Sequence, residues 1–191
     1  LQCLQRGKRL IDKHFGKGHP VNARLGQVES DILRSQSAPL KAKRHINESL
    51  MILEKHDLMA SPLGIKLYRE KGNLFSSSLQ PERATPYLQK SINLAETLYP
   101  DKPYKLIYPY IALGRAYKRQ KQFEKALRQQ EKALALAREL PESAFRKRRL
   151  FNTYTNLGAL HRKTGQYSRS AEYLKKAYDL GREAYPSGHE K

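Results

Sequence analysis

Tryptophan is absent from this chain of 191 residues, methionine occurs twice, and the only cysteine is Cys3. A lone cysteine excludes an intramolecular disulfide framework, and no Cys/His grouping has the spacing of a zinc site. Long hydrophobic runs are missing as well. No stretch of about 18 apolar residues could span a bilayer, and Leu1 to His19 carries charges throughout, so that segment does not read as a secretory leader. The expectation is a cytoplasmic protein without membrane insertion. Gly-rich phosphate loops, nucleophile elbows and His-Glu metalloprotease patterns are absent too, so no catalytic residue, metal ligand or cofactor is expected. Negative charge is scarce: 18 Asp and Glu stand against 37 Lys and Arg, a formal net charge of +19. A balance of that sign draws polyanions or acidic surfaces, either an acidic protein or peptide or a nucleic acid.

What the chain does contain is periodicity. Hydrophobic residues make up 39% and the mean hydropathy is -0.78, polar for one compact core but ordinary for an elongated stack with much surface per residue. The segment from Tyr110 to Ala137 overlays Tyr154 to Gly181 without a gap, matching Leu113 to Leu157, Gly114 to Gly158, Phe123 to Tyr167 and Ala133 to Ala177. Moving from Gly114 upstream by 42 residues reaches Gly72, with Tyr68 before it and Phe75, Ala84, Leu88 and Ile92 after it at the same offsets. A further 42 residues upstream is Ser30, followed in register by Leu33, Ala42, Ile46 and Leu50, a degenerate copy. The connector from Phe15 to Pro20 recurs in altered form from Tyr185 to Glu190.

Each period holds two stretches with apolar residues at helical spacing, separated by a short break such as Lys121-Gln122 or Thr164-Gly165-Gln166, and so reads as a helical hairpin. Helix starts are marked by Ser61-Pro62, Pro39 and Pro81, because a proline at the first helical position gives up an N–H that has no partner there anyway. The expected division is a helix and connector at 1–19, then repeats at 20–60, 61–102, 103–142 and 143–191. Leu1 to His14 reads as the second helix of an earlier repeat, which suggests a fragment of a longer parent chain with further domains.

The pattern Tyr110-x-x-Leu113-Gly114-x-x-Tyr117 followed by Ala126 and Ala133 resembles the tetratricopeptide repeat, in which small residues let paired helices approach closely. A period of 42 to 44 residues, against roughly 34 in the usual repeat, is similar to the kinesin-light-chain variety. The resemblance implies an all-α, right-handed superhelical solenoid of about four helix-turn-helix repeats after a half-repeat helix, working as a protein-binding scaffold and not as an enzyme. Three departures stand out: Gln130 replaces an aromatic, Ser30 replaces the glycine, and Pro109 falls inside a first helix, where it should kink that helix or mark its true start.

In this family the first helix of each pair lines the concave surface, through positions six and three before the glycine slot and one, four and five after it. Nine of those twenty positions are basic and Asp31 alone is acidic, a more than twofold enrichment over the chain as a whole. The partner-binding candidates are Arg24, Arg34, Lys66, Arg69, Asn73, Arg115, Lys118, Arg119, Asn152, Arg162 and Lys163 from those positions, with Asn156 added beside them on the first helix of the last repeat. Arg and Lys suit carboxylates or phosphates, and Asn can clamp an extended backbone. A C-terminal-carboxylate grip of the kind some members use is not assigned, because Ala112 stands where it needs an Asn.

Other eye-catching residues read as structural. Tyr68, Phe75, Tyr110, Tyr117, Phe123, Tyr154 and Tyr167 occupy repeat-defining positions, so they read as core and not as a base-stacking platform. The histidines at 14, 19, 45, 56, 161 and 189 form no recognised constellation, and His161 takes the slot of Tyr117. The basic run Arg146 to Arg149 reads as a solvated helix extension, with a nucleic-acid patch as the competing reading. Regulation within a larger signalling protein or protease is a third reading of the chain's role.

Overall fold

The computed structural model describes residues 2–36, 38–78 and 80–184, so the second connector and His189 lie outside the described residues. Among these residues nine α-helices follow one another: α1 Gln2–Phe15, α2 Pro20–Ser35, α3 Pro39–Lys55, α4 Pro62–Ser76, α5 Ala84–Leu98, α6 Ile107–Arg119, α7 Phe123–Arg138, α8 Ala144–Lys163 and α9 Tyr167–Ala184. No strand occurs among the described residues, and no helix there is long and apolar enough to cross a membrane.

Local chemistry sets the helix starts. Ser61 caps α4 by accepting from the Gly64 amide at 3.1 Å, ahead of Pro62 at the first position, and Ser143 does the same for α8 through the Arg146 amide at 3.1 Å. Pro109 sits in the first turn of α6, after a short 3₁₀ turn at Pro103–Leu106, so it marks a start and produces no kink. Its missing N–H falls where no intrahelical acceptor exists. Pro81, by contrast, opens a 3₁₀ turn at Pro81–Arg83, and α5 begins only at Ala84, with Pro86 in its first turn. The break between α8 and α9 uses Gly165 at a φ of 76°, and the equivalent Lys121 adopts a φ of 60° between α6 and α7.

The packing is that of an all-α solenoid. Contacts are densest within the hairpins α2–α3, α4–α5, α6–α7 and α8–α9, and each hairpin then packs on the next helix in sequence. Small core clusters result, each shared between a hairpin and its successor. Leu88, Ile92 and Phe75 meet Ala112, Leu113 and Ala116 of α6, while Leu134 and Ala137 of α7 meet Leu150, Tyr154 and Leu157 of α8. Burial of this kind depends on neighbours, since no hairpin covers its own apolar face.

Buried hydrogen bonds join the two helices of each of the last three pairs. Ser91 Oγ donates to the Ile65 carbonyl at 2.9 Å, Gln130 Nε2 to the Ile111 carbonyl at 3.1 Å, and Ser170 Oγ to the Gly158 carbonyl at 2.8 Å. Gln130 therefore serves as a cross-helix tie in place of the expected aromatic. His161 is buried and stacks on Tyr173 with centroids 5.3 Å apart, the packing role its slot implies.

In each of the last three pairs the repeat glycine sits where the two helices approach closely. A Cβ on Gly158 would stand 2.7 Å from Leu174 Cγ and 3.3 Å from the Ser170 carbonyl oxygen. Gly158→Leu should overpack this junction and cost roughly 1–3 kcal/mol, seen as a lower thermal midpoint. An unchanged midpoint would contradict the close approach.

At the other end, polar contacts tie α1 to α2. Asn22 Nδ2 donates to Asp12 Oδ1 at 2.9 Å and to the Lys17 carbonyl at 3.1 Å, and Lys8 stands 3.7 Å from the buried carboxylate of Glu29. Deleting residues 1–14 should strip Asp12 from Asn22 and Lys8 from Glu29 and promote self-association, visible by size-exclusion chromatography and thermal melts. A shortened protein that stayed monomeric and equally stable would show that α1 does not act as a cap.

Candidate functional site

Curvature identifies the concave side. The first helices α4, α6 and α8 pack against one another, whereas the second helices have no comparable mutual packing, so the stack closes on the side of the first helices. Residues on their free faces therefore share one groove.

Two cavities of about 260 Å³ each lie along it among the described residues. The first is lined by Arg34, Asn73, Leu74, Ser76, Ser77, Arg115 and Arg119, drawn from α2, α4 and α6. In the second, Lys66, Arg69, Lys105 and Arg149 meet Tyr99, Tyr104, Tyr108 and Phe145. Arg69 and Arg149 both lie over the Tyr108 ring, at 5.5 Å and 3.7 Å from its centroid, and Arg149 also lies 4.1 Å from that of Phe145.

The electrostatics link these helices into one strip. Burial first, and then the charge of Arg34, lowers the pKa of Arg69, against the opposing pull of Glu70 and Asp31. Desolvation followed by repulsion from Arg69 and Arg34 holds the Arg115 guanidinium below the usual arginine range. Lys118 is likewise lowered by desolvation and then by Arg119, Arg115, Lys163 and Arg162. Cations from α2, α4, α6 and α8 thus feel one another across the groove.

Counter-charge is concentrated at one end. Asp31 stands 3.0 Å from Lys66 Nζ and 3.5 Å from Arg34, and Glu70 stands 3.6 Å from Lys66. Glu70 is buried, and burial together with Asp31 pushes its carboxyl up to about 7, with Lys66, Arg34 and Arg69 pulling the other way. Arg115, Lys118, Arg119, Arg162 and Lys163 make no ion pair among the described residues.

Arg34, Lys66, Arg69, Asn73, Arg115, Lys118, Arg119, Arg162 and Lys163 are thus linked by a shared cavity or by mutual electrostatics. Three candidates stand apart. Arg24 is exposed on α2 with no ion pair among the described residues, and the Asn156 amide donates to the Asn152 carbonyl at 2.6 Å, an engagement inside its own helix. The basic run is not uniformly outlying. Arg146 pairs with Glu142, and Lys147 Nζ lies 2.7 Å from Glu183, but Arg149 turns into the groove wall. Lys105 and Arg149, both nine residues before a repeat glycine, fall outside the sequence-derived set; carrying the inner-face positions one turn further upstream would have found them.

Family models described as tetratricopeptide repeat match residues 65–139 and 150–190. The chain belongs to the tetratricopeptide-repeat superfamily. No curated protein matches it in sequence. Among solved structures it is similar to BtubC (BKLC) from P. vanneervenii, with 20% identity, 88% of this chain and 66% of that chain covered, and a TM-score of 0.72. A Podosopora anserina protein of kinesin-light-chain type with nearly identical TPR-like repeats gives 16% identity, coverages of 97% and 87%, and a TM-score of 0.70. A double mutant of MamA RS-1 gives 20%, coverages of 96% and 91%, and 0.61. At these identities the likeness is one of fold, the kinesin-light-chain type of repeat included. Scaffolds built from these repeats generally mediate protein–protein interaction and are typically non-enzymatic.

Proposed function

We propose that the concave face is a docking groove that holds an acidic or extended segment of a protein partner. The observation that carries this reading is the row of cations across α2, α4, α6 and α8, five of which lack an ion-pair partner among the described residues, while burial and neighbouring cations already disfavour the charged form of two of them, Arg115 and Lys118. Like charges gathered on one wall are costly to the free protein, and an anionic segment relieves that cost on binding. Arginine and lysine supply charge-assisted bonds, and the half-buried Asn73 offers both a donor and an acceptor to a passing backbone.

Affinity capture with the chain at moderate salt, with and without nuclease, tests the reading. A protein partner that survives nuclease and is competed off by its own acidic segment supports it. Retention that disappears entirely with nuclease would assign the surface to nucleic acid, with affinity falling by roughly 0.7 to 0.9 log units per log unit of salt for each phosphate neutralised.

A further inference from the structure

Arg34 on α2 and Arg115 and Arg119 on α6 flank Asn73 on α4, so their spacing is fixed by the stacking of three hairpins. Arg34 and Arg115 line the cavity of about 260 Å³ that also contains Asn73 and Arg119. Arg69, in the wall of the neighbouring cavity, adds to the positive field: after burial, its charge and that of Arg34 lower the pKa of Arg115. Compensation is thin: Arg34 reaches only Asp31, at 3.5 Å, and that carboxylate is shared with Lys66 at 3.0 Å. Arg115 and Arg119 have no ion pair among the described residues.

The geometry selects among anions. A carboxylate is planar, carries one charge and is satisfied by a single guanidinium fork. Guanidiniums on separate helices call for an anion whose oxygens point in more than two directions and whose charge exceeds one. A phosphomonoester fits, with three terminal oxygens and a charge of about −1.5 to −2 at pH 7. Leu74 is the one apolar residue among the described lining of the cavity, so no apolar slot is built for an aromatic ring, which favours an aliphatic phosphate carrier.

We propose that the cavity between α2, α4 and α6 reads a phosphoserine or phosphothreonine on the docked segment, with Arg34, Arg115 and Arg119, which line it, gripping the phosphate. The inference rests on the groove reading and makes docking conditional on the partner's phosphorylation. Asn73, beside the same cavity, then holds the backbone that carries the phosphorylated side chain.

Three matched decapeptides test it by fluorescence anisotropy at about 0.15 M salt. They differ only at their centre, which holds phosphoserine, a Glu-Glu pair of the same charge, or serine. The phosphopeptide should bind at least about tenfold more tightly than the Glu-Glu peptide, and should weaken below about pH 6 as the phosphate takes up its second proton. Arg34→Gln and Arg115→Gln should each cost about tenfold or more, and Arg115→Lys, which keeps charge without the fork, should cost less. Arg128→Gln, on the second helix α7, should have no effect. Circular dichroism on each variant checks the fold. Equal affinity for the phosphoserine and Glu-Glu peptides would overturn the phosphate reading and leave the acidic-segment groove standing. Binding of no acidic peptide, or binding of a 5′-phosphorylated oligonucleotide through the same arginines in place of the peptides, would overturn both.

Discussion

Glu70→Gln should stabilise the protein at alkaline pH and remove part of its pH dependence. Glu70 is 2% exposed, and its carboxyl is pushed from an ordinary 4.5 to about 7 in the fold. The folded chain therefore holds a proton there between those values that the unfolded chain has released. Over that window the unfolded state binds fewer protons, so stability falls as pH rises, by up to about 3 kcal/mol from this group alone. Below about pH 4.5 both states are protonated and the penalty vanishes. Glutamine keeps the shape without the ionisation. Its melting midpoint should exceed that of the wild-type protein at about pH 8 by several degrees, using roughly 2–4 °C per kcal/mol for a chain of this size, and the gap should close towards pH 5. A constant gap would show that Glu70 does not titrate in this range.

Arg115→Glu combined with Lys118→Glu should weaken a captured acidic partner by about 2 kcal/mol or more, since attraction becomes repulsion in a partly desolvated groove. The matching control needs care. Reversing the whole run from Arg146 to Arg149 would also disturb the groove wall, because Arg149 lies over Tyr108. Arg148 is exposed and bonds only to the Ala144 carbonyl of its own helix, at 3.4 Å. Arg148→Glu should therefore change affinity little, as surface charges do. Titrations of both proteins across a salt series check the pair of expectations. Equal tolerance of the two reversals would mean that the cationic strip is only a solvated face.

Much of this architecture is legible because repetition fixes register. Gly72, Gly114 and Gly158 recur where a Cβ would strike the partner helix, and once those slots align, the inner-face arginines follow by counting. Ser30 can be placed the same way, since it is fully buried at the slot where the other repeats have glycine. Glu70 is not legible. It sits two residues before its glycine slot, outside the inner-face positions, and its raised pKa follows from burial and from Asp31 of α2, which only the fold brings near it. Arg149 escapes a sequence reading for a related reason: α8 is 20 residues long and its added first turns overhang the groove, a consequence of the longer last period. Asn156 departs from its expected role because, like Glu70, it sits two residues before its glycine slot, off the inner-face positions, and its amide bonds back to the Asn152 carbonyl of its own helix.

The central claim, that partners dock on the concave face, is most directly tested by lysine footprinting of the captured complex by acetylation and mass spectrometry. Lys118 and Lys163 lie on the first helices α6 and α8, while Lys90, Lys125 and Lys175 lie on the second helices α5, α7 and α9. Protection of Lys118 and Lys163, with Lys90, Lys125 and Lys175 as reactive as in the free protein, is the predicted result. Protection confined to Lys90, Lys125 and Lys175 would place the partner on the convex face and contradict the account.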